Sequence, residues 1–415
     1  MKRSSPPWYY LLILVVASEA VFLLPFVLPR VFRPTILALF ELSNTQLGLC
    51  FSVYGLVALF SYLFGGPLAD TFAPRKLIAI SLWMTALGGI VFATYPVFWV
   101  LQVLYGYWGF TTIFLFWAPM VKATRVWGGS RAQGKAFGFL DGGRGITATL
   151  FGLLGVFIFA FFVGAQSEAT SFLDQRAGFT YVVYVVSALI VGIGFLVWFF
   201  LKSDADERGY KLDKITPNEL LLVLKLPSVW LLMVIILCAY TGYKITDIFA
   251  QYAQEVLFYD PVDSAQIGTF LLFMRAFTGV CIGFLADRTK PTFWLTVGFV
   301  FVFLGAFLFA TGVTVASEWY FMLSNVIVAV GVYSVRALYF AVMQQGHIPL
   351  ALTGTAVGLI SLVGYSPDIF AGPGMGYLLD ANPGVVGHQH VFWALAFFSV
   401  IGGTAAALYH KLYRT

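Results

Sequence analysis

Long apolar blocks separated by short polar hinges run the whole length of this chain. A membrane-spanning helix needs roughly 20 apolar residues. Twelve blocks qualify: residues 9–29, 46–69, 75–95, 97–121, 136–164, 177–201, 228–250, 265–286, 292–313, 318–343, 354–379 and 390–410. The predicted fold is therefore all-α, an integral membrane protein of twelve transmembrane helices. Composition agrees, since 60% of the 415 residues are hydrophobic and only 10% are charged. Soluble domains carry about 25% charged residues, so the solvent for most of this surface is lipid.

One hinge repeats. Gly66-Pro-Leu68-Ala69-Asp70 follows the second block, and Gly283-Phe-Leu285-Ala286-Asp287 follows the eighth, at an offset of 217. A second echo pairs Gly134-Lys-Ala136-Phe-Gly138 with Gly354-Thr-Ala356-Val-Gly358, at an offset of 220. The second and eighth blocks also open alike, with Thr45-Gln46-Leu-Gly48 and Ala265-Gln266-Ile-Gly268. An internal repeat of this kind divides the chain into two parallel six-helix halves, residues 1–201 and 228–415. Residues 202–227 join them and are crowded with both signs of charge. There Thr216-Pro-Asn-Glu219 is a capping box with proline at the first helical position. It predicts a short helix along the inner face before Pro227 opens the seventh span, either a plain linker or a regulatory segment.

Two six-helix halves, with G-x-L-A-D-x-x-x-x-R-K after the second helix and a degenerate copy after the eighth, resemble the major facilitator superfamily. One departure stands out: Thr71-Phe72-Ala73-Pro74 follows Asp70, so the first copy lacks the arginine after its acid. The physical role of the motif is legible all the same. Gly66 lets helices approach closely, and Asp70 can accept from a helix N-terminus or pair with Arg75. The resemblance implies a conformational latch, with Asp287 and Arg288 as its second copy. The LDGGRG stretch of the fifth helix and TGTAVGLISLVGYSPDIFAGPGMGYLLD of the eleventh are similar to the YihN-like bacterial permeases, which implies the bacterial inner membrane.

Charge placement gives an orientation. With a cytoplasmic N-terminus, the inner loops and tails hold seventeen Lys and Arg, and the outer loops only Arg30, Arg33 and Arg176. The positive-inside rule then puts both termini in the cytoplasm. The N-terminal run has features of a signal peptide, but Glu19 falls inside the would-be cleavage site and the apolar run continues to Leu28. A nucleic-acid partner would need a clustered basic domain, and the sequence has none. Cys50, Cys238 and Cys281 all fall within apolar blocks, with neither disulfide-framework nor metal spacing.

Away from the block ends, eight charged residues fall inside the blocks: Glu19, Asp141, Arg144, Lys244, Asp247, Arg275, Arg336 and Asp368. The third, sixth, ninth and twelfth helices, which are the outer scaffold in the facilitator fold, carry none of them. Each charge near the bilayer centre costs roughly 2.5–3.5 kcal/mol, so the eight must pair or face water. Four are basic and four acidic, which permits internal neutralisation. Their neighbours follow helical spacing. Tyr240, Tyr243, Lys244, Asp247 and Gln251 form one stripe, Asn325, Tyr333, Arg336 and Phe340 a second, Gln102, Tyr105, Gly109 and Thr112 a third, and Ser361, Tyr365 and Asp368 a fourth. Amide and aromatic groups around cations suit an organic anion.

Arg275 and Arg336 lack a same-helix acid, which makes them the expected anion anchors, with Lys244, Tyr243, Tyr333, Tyr365, Gln102 and Tyr105 completing the substrate site. Glu19 lacks a same-helix base and is the expected proton carrier, followed by Asp368 and Asp247. Lys244 and Asp247 could equally neutralise each other. Asp141 and Arg144, three residues apart, fit a structural latch as well as a substrate role. His347, His388, His390 and His410 fall in or beside loops or the tail and away from a polar core. His388-x-His390 lacks an evident third metal ligand. No metal or other cofactor is expected and an enzyme is not indicated, because Gly372-Pro-Gly-Met-Gly376 ends an apolar helix with no strand before it.

These readings converge on secondary active transport of a small organic anion, a sugar acid or carboxylate, by a monomer working with protons in the lipid bilayer. Two alternatives remain open: a proton-driven exporter of an amphipathic compound, and a solute receptor built on a transporter fold.

Overall fold

Proline sets where many of the apolar blocks begin. In the computed structural model, which describes residues 7–128, 133–163, 172–201, 217–343, 345–348 and 353–413, helices open at Pro74, Pro217, Pro227, Pro261, Pro291 and Pro367. A proline at the first helical position forfeits only an N–H that would have no helical partner. Ten helices among the described residues are long and apolar enough to cross a bilayer. The first span is a bent pair, Trp8–Ala20 and Leu23–Val31, meeting at 45°. Its second piece opens with a π turn, Leu23–Val27, around Pro25. The eleventh is broken into Thr353–Gly364 and Pro367–Ala381. Counting these two gives twelve spans.

The chain forms two compact units, Met1–Leu42, Leu49–Leu212 and Asp260–Ala276 in the first, and Ser43–Gly48, Asp213–Tyr259 and Phe277–Thr415 in the second. Within the first, span one packs on five and six, and three packs on six. Within the second, seven packs on eleven and twelve, and nine on twelve. The pairings match after a shift of six spans, the packing counterpart of the sequence repeat.

Each unit also holds a short piece of a span from the other sequence half, and small residues explain why. In the first unit a side chain at Gly145 would come within 3.0 Å of the Ala276 Cα, and one at Gly268 within 2.8 Å of the Val31 Cα. In the second unit Gly48 lies against the Gly372 backbone, and Gly376 against Asn44 and Thr45. Glycine at these contacts lets backbones meet directly.

Asp380 completes the second contact. Its carboxylate accepts from the Asn44 N–H at 3.0 Å, the Asn44 side-chain amide at 3.1 Å and the Thr45 N–H at 2.8 Å. The end of span eleven thus caps the start of the helix Asn44–Thr71. Partial burial pushes the Asp380 carboxyl up, but the bonds from Thr45 and Asn44 outweigh it and hold the group below its usual value. A depressed carboxylate stabilises the fold above the unfolded-state value, about pH 4, and loses that contribution as pH falls through the lower folded value. Asp380→Asn should therefore lower stability at pH 7 by about 0.5 kcal/mol, the low end for a cap because the site is exposed. The difference should shrink as pH falls below about 4 toward the lower folded value. Melting curves of both proteins from pH 7 to 3 measure this, and parallel curves would remove the cap from the stability of the fold.

The linker helix forms as Pro217–Leu224, and the Trp230 indole donates to the Leu224 carbonyl at 2.8 Å. Thr216, its expected cap, lies outside the described residues. The sequence reading is corrected at the C-terminal end of span one. Arg30 and Arg33, expected in an outer loop, are 3% and 1% exposed. Helix continues through Leu28–Val31 and Arg33–Leu39, so both arginines sit on packed helix.

Candidate functional site

Two clusters of intramembrane charge emerge, one in each unit. In the first, Glu19 of span one stands between two arginines. Its Oε2 accepts from Arg144 Nε at 2.9 Å and its Oε1 from Arg275 Nη1 at 3.1 Å. Asp141 Oδ1 lies 4.0 Å from Arg275 Nη2. The Arg144 guanidinium also covers the Phe22 ring, 5.4 Å from its centre. Residues from spans one, five and eight thus meet around one carboxylate that is 3% exposed.

Arg275 and Glu19 were expected to lack a partner on their own helices, and they pair with each other across helices. The same-helix argument holds for both, but the partners arrive from other helices. Arg144 likewise engages Glu19, while Asp141, three residues back on the same helix, is 56% exposed.

The second cluster is built on spans seven, ten and eleven. Lys244 Nζ lies 3.2 Å from Asp368 Oδ1 and 3.9 Å from Asp247 Oδ2. Lys244 is 1% exposed. The Tyr240 hydroxyl bonds both Asp368 oxygens at 3.1 Å. Arg336 stacks on Tyr243 with its guanidinium carbon 3.9 Å from the ring centre, and lies 5.9 Å from that of Tyr240. Tyr333 meets Tyr243 at 6.4 Å between ring centres, and Tyr365 meets Tyr240 at 4.8 Å. The Tyr365 and Tyr339 hydroxyls are 3.3 Å apart.

Local structure explains the convergence. Span seven changes from α-helix to a 3-10 turn at Thr246–Ile248, which brings Asp247 back toward Lys244. The break of span eleven before Pro367 puts Asp368 in the first turn of a new helix, where the helix dipole favours an acid. Tyr339 was absent from the sequence stripes, although its three-residue spacing from Arg336 signals it.

Other expected site residues lie elsewhere. Tyr105 is fully buried in the first unit, with Phe51 and Trp108 at 5.4 and 5.2 Å. Gln102 is half-buried one helical turn before it. Arg75 donates to the Trp198 carbonyl at 3.1 Å, and Arg288 covers the Phe284 ring at 3.9 Å. Gly66 and Asp70 lie on the helix Asn44–Thr71 and Asp287 on Pro261–Arg288, but their side-chain surroundings lie outside what the structure describes.

The histidine reading is also corrected. His388 is fully buried and bonds Glu255 at 3.1 Å. The twelfth helix begins at Val385, five residues ahead of the expected start, and this turns His388 inward.

Among curated proteins the chain is 27% identical to the inner membrane protein YqcE of Escherichia coli over 359 residues, 84% of this chain and 82% of that one. It is 25% identical to the Escherichia coli inner membrane protein YihN over 384 residues, covering 90% and 88% of the two chains. Among solved structures it is similar to a bacterial homolog of the human lysosomal transporter Spinster, in inward-facing unoccupied and occupied conformations. The TM-scores are 0.75 and 0.72 at 19% identity, covering 98% and 97% of this chain and 97% and 96% of those. That likeness is one of fold. Residues 10–372 match the Major Facilitator Superfamily, and the chain belongs to this family of membrane transporters.

Proposed function

We propose that the protein is a secondary transporter that moves a small organic anion, a sugar acid or carboxylate, together with protons, across a bacterial inner membrane with both termini cytoplasmic. The observation that carries this reading is the Lys244–Asp368 pair beside an arginine stacked on tyrosine. Stacking on Tyr243 uses the face of the Arg336 guanidinium and orients the planar fork of N–H groups that matches a carboxylate. Lys244 supplies a second cation, which Asp368 occupies. A proton on Asp368 removes that counterion and frees Lys244 for the cargo anion. Loss of the proton restores the Lys244–Asp368 pair and expels the cargo. Proton and anion then travel together because both compete for one ion pair.

Asp247 shares the lysine and tunes this exchange. Arg275 is the corresponding anion anchor of the first unit and Glu19 its proton carrier. Glu19 is gripped by two guanidiniums and Asp368 by one ammonium, so exchange is easier at Asp368. Tyr240, Tyr333 and Tyr365 line the cargo with ring faces and hydroxyls.

A second reading has its own observation. Lys244, Arg144 and Arg275 all have protein carboxylates within 3.2 Å, and an exporter of an amphipathic compound would carry such neutralised charge beside aromatic walls.

The test begins with a thermal-shift screen of the purified protein against organic anions, sugars and lipophilic cations. Asp368→Asn should bind the best anion at pH 8 at least tenfold more tightly than wild type, because Lys244 is already released. Its affinity should change little between pH 8 and 5. Affinity for anions that stays strongly pH-dependent in this variant would remove Asp368 from coupling, and selective stabilisation by lipophilic cations would favour the exporter.

A further inference from the structure

We infer that the cleft between spans eight, nine and ten binds one anionic phospholipid, with an acyl chain in the cleft and the phosphate on Arg288 and Lys290. The cleft has a volume of about 200 Å³ and lies within the second unit, between Pro261–Arg288, Pro291–Ala310 and Glu318–Leu338. Its walls include Cys281, Leu285, Trp294, Val297, Phe301 and Val330, and no charged side chain lines it. Cys281, Leu285 and Phe301 are exposed, so the cleft is open at the surface. Span nine carries no charge between Pro291 and Ala310, and an uncharged face of a spanning helix meets lipid.

The position of the cleft along the helices sets which part of a lipid it takes. At about 1.5 Å per residue, Leu285 lies about 5 Å and Cys281 about 10 Å along span eight from Arg288. Trp294 and Phe301 stand about 5 and 15 Å into span nine from Pro291. This is the depth of the upper part of an acyl chain whose headgroup sits at the hinge. That hinge, Asp287-Arg288-Thr289-Lys290, has two bases against one acid. Arg288 and Lys290 are both exposed. The Arg288 guanidinium covers the Phe284 ring at 3.9 Å, which takes up one of its faces and leaves the N–H edge for a phosphate. The Trp294 indole donates to the Thr289 hydroxyl at 2.7 Å, and Thr289 donates to the Leu285 carbonyl at 2.7 Å. A tryptophan tied to the hinge in this way suits the membrane–water boundary.

Chain and headgroup make separate contributions. An unfilled cleft would forfeit dispersion contacts along its walls, and any phospholipid chain can supply them. Selection comes from the hinge, because each basic residue near an anionic headgroup strengthens binding about fivefold. A zwitterionic lipid fills the cleft but gains little there. The far wall of the cleft belongs to the span that carries Tyr333 and Arg336, so a bound lipid braces that helix from its lipid side. Only a membrane-spanning chain is needed for this, whatever the cargo.

The test uses full-length protein in phosphatidylcholine nanodiscs that hold a small fraction of a lipid with a photoreactive diazirine in its acyl chain. The probe is phosphatidylglycerol in one set and phosphatidylcholine in the other, and mass spectrometry maps the labelled residues. Phosphatidylglycerol should label residues 277–285 and 294–301 at least fivefold more than phosphatidylcholine does. Arg288→Gln combined with Lys290→Gln should bring the two probes level. Cys281→Phe fills the cleft and keeps both bases; it should drive the label out of these segments, and it decides the matter if the double variant does not fold. Equal labelling of wild type by the two probes, a preference that survives loss of both bases, or labelling unchanged by Cys281→Phe would overturn the site. Segments that neither probe labels would mean that a protein chain covers the cleft, which would overturn it as well.

Discussion

Replacing Glu19 with leucine should destabilise the protein by about 3–5 kcal/mol, the cost of stripping a buried charge cluster of its counterion. Arg144 and Arg275, both bound to this carboxylate at 2.9–3.1 Å, would be left facing each other across an apolar side chain. Glu19→Gln should fall between wild type and Glu19→Leu, because the amide oxygen still accepts one N–H. The triple variant Glu19→Leu, Arg144→Leu, Arg275→Leu should recover much of the loss, since no unpaired charge remains. Thermal unfolding in detergent separates the four proteins. If Glu19→Leu melted within a degree of wild type, the cluster would have to be hydrated and its pairing of little weight. The same set bears on coupling. A Glu19→Gln protein that folds and still accumulates cargo down a pH gradient would leave the proton with Asp368.

The second large effect is on binding. Arg336→Ala should weaken affinity for the best anion of the screen about a hundredfold or more, within the range for truncating one partner of a buried charged contact. Arg336→Lys keeps the charge but loses both the bidentate fork and the flat contact with Tyr243, and about a tenfold loss is expected. Calorimetry at fixed pH would rank the three proteins. Equal affinities would end the anion reading, whereas equal losses for lysine and alanine would show that geometry outweighs charge. Tyr243→Leu, which removes the ring under the guanidinium at 3.9 Å, should resemble Arg336→Lys.

Spans were legible from the sequence because lipid leaves no choice: a backbone crossing it must satisfy its own hydrogen bonds, so long apolar runs become helices. The two halves were legible because the Gly-x-Leu-Ala-Asp hinge recurs. Breaks within spans were harder to read. Proline at 25 and 367 offers a hint, but whether a helix bends, forms a π turn or stops depends on neighbours. Ion pairing was hidden for a different reason. Glu19 meets partners 125 and 256 residues away, and no same-helix spacing rule can see such a contact. Lys244 and Asp247 are three apart, and that pair could be read directly. Helix ends cost the reading His388, Arg30 and Arg33. Each lies just outside a predicted block, where an extra turn of helix converts a solvated loop residue into a packed one.

The mixed membership of span eight has a consequence for how the protein is made. Residues Asp260–Ala276 belong to the first unit, yet the ribosome delivers them only after the linker and the seventh span. During synthesis the first six helices therefore wait, with Gly145 lacking the Ala276 backbone it packs against and Glu19 holding a single arginine. Chains that postpone such distant contacts expose unfinished surfaces and fold slowly. A nascent chain stalled before residue 260 should accordingly be a better substrate for membrane chaperones and proteases than one stalled after 290, so that the eighth span serves as the point at which the first half becomes safe from degradation.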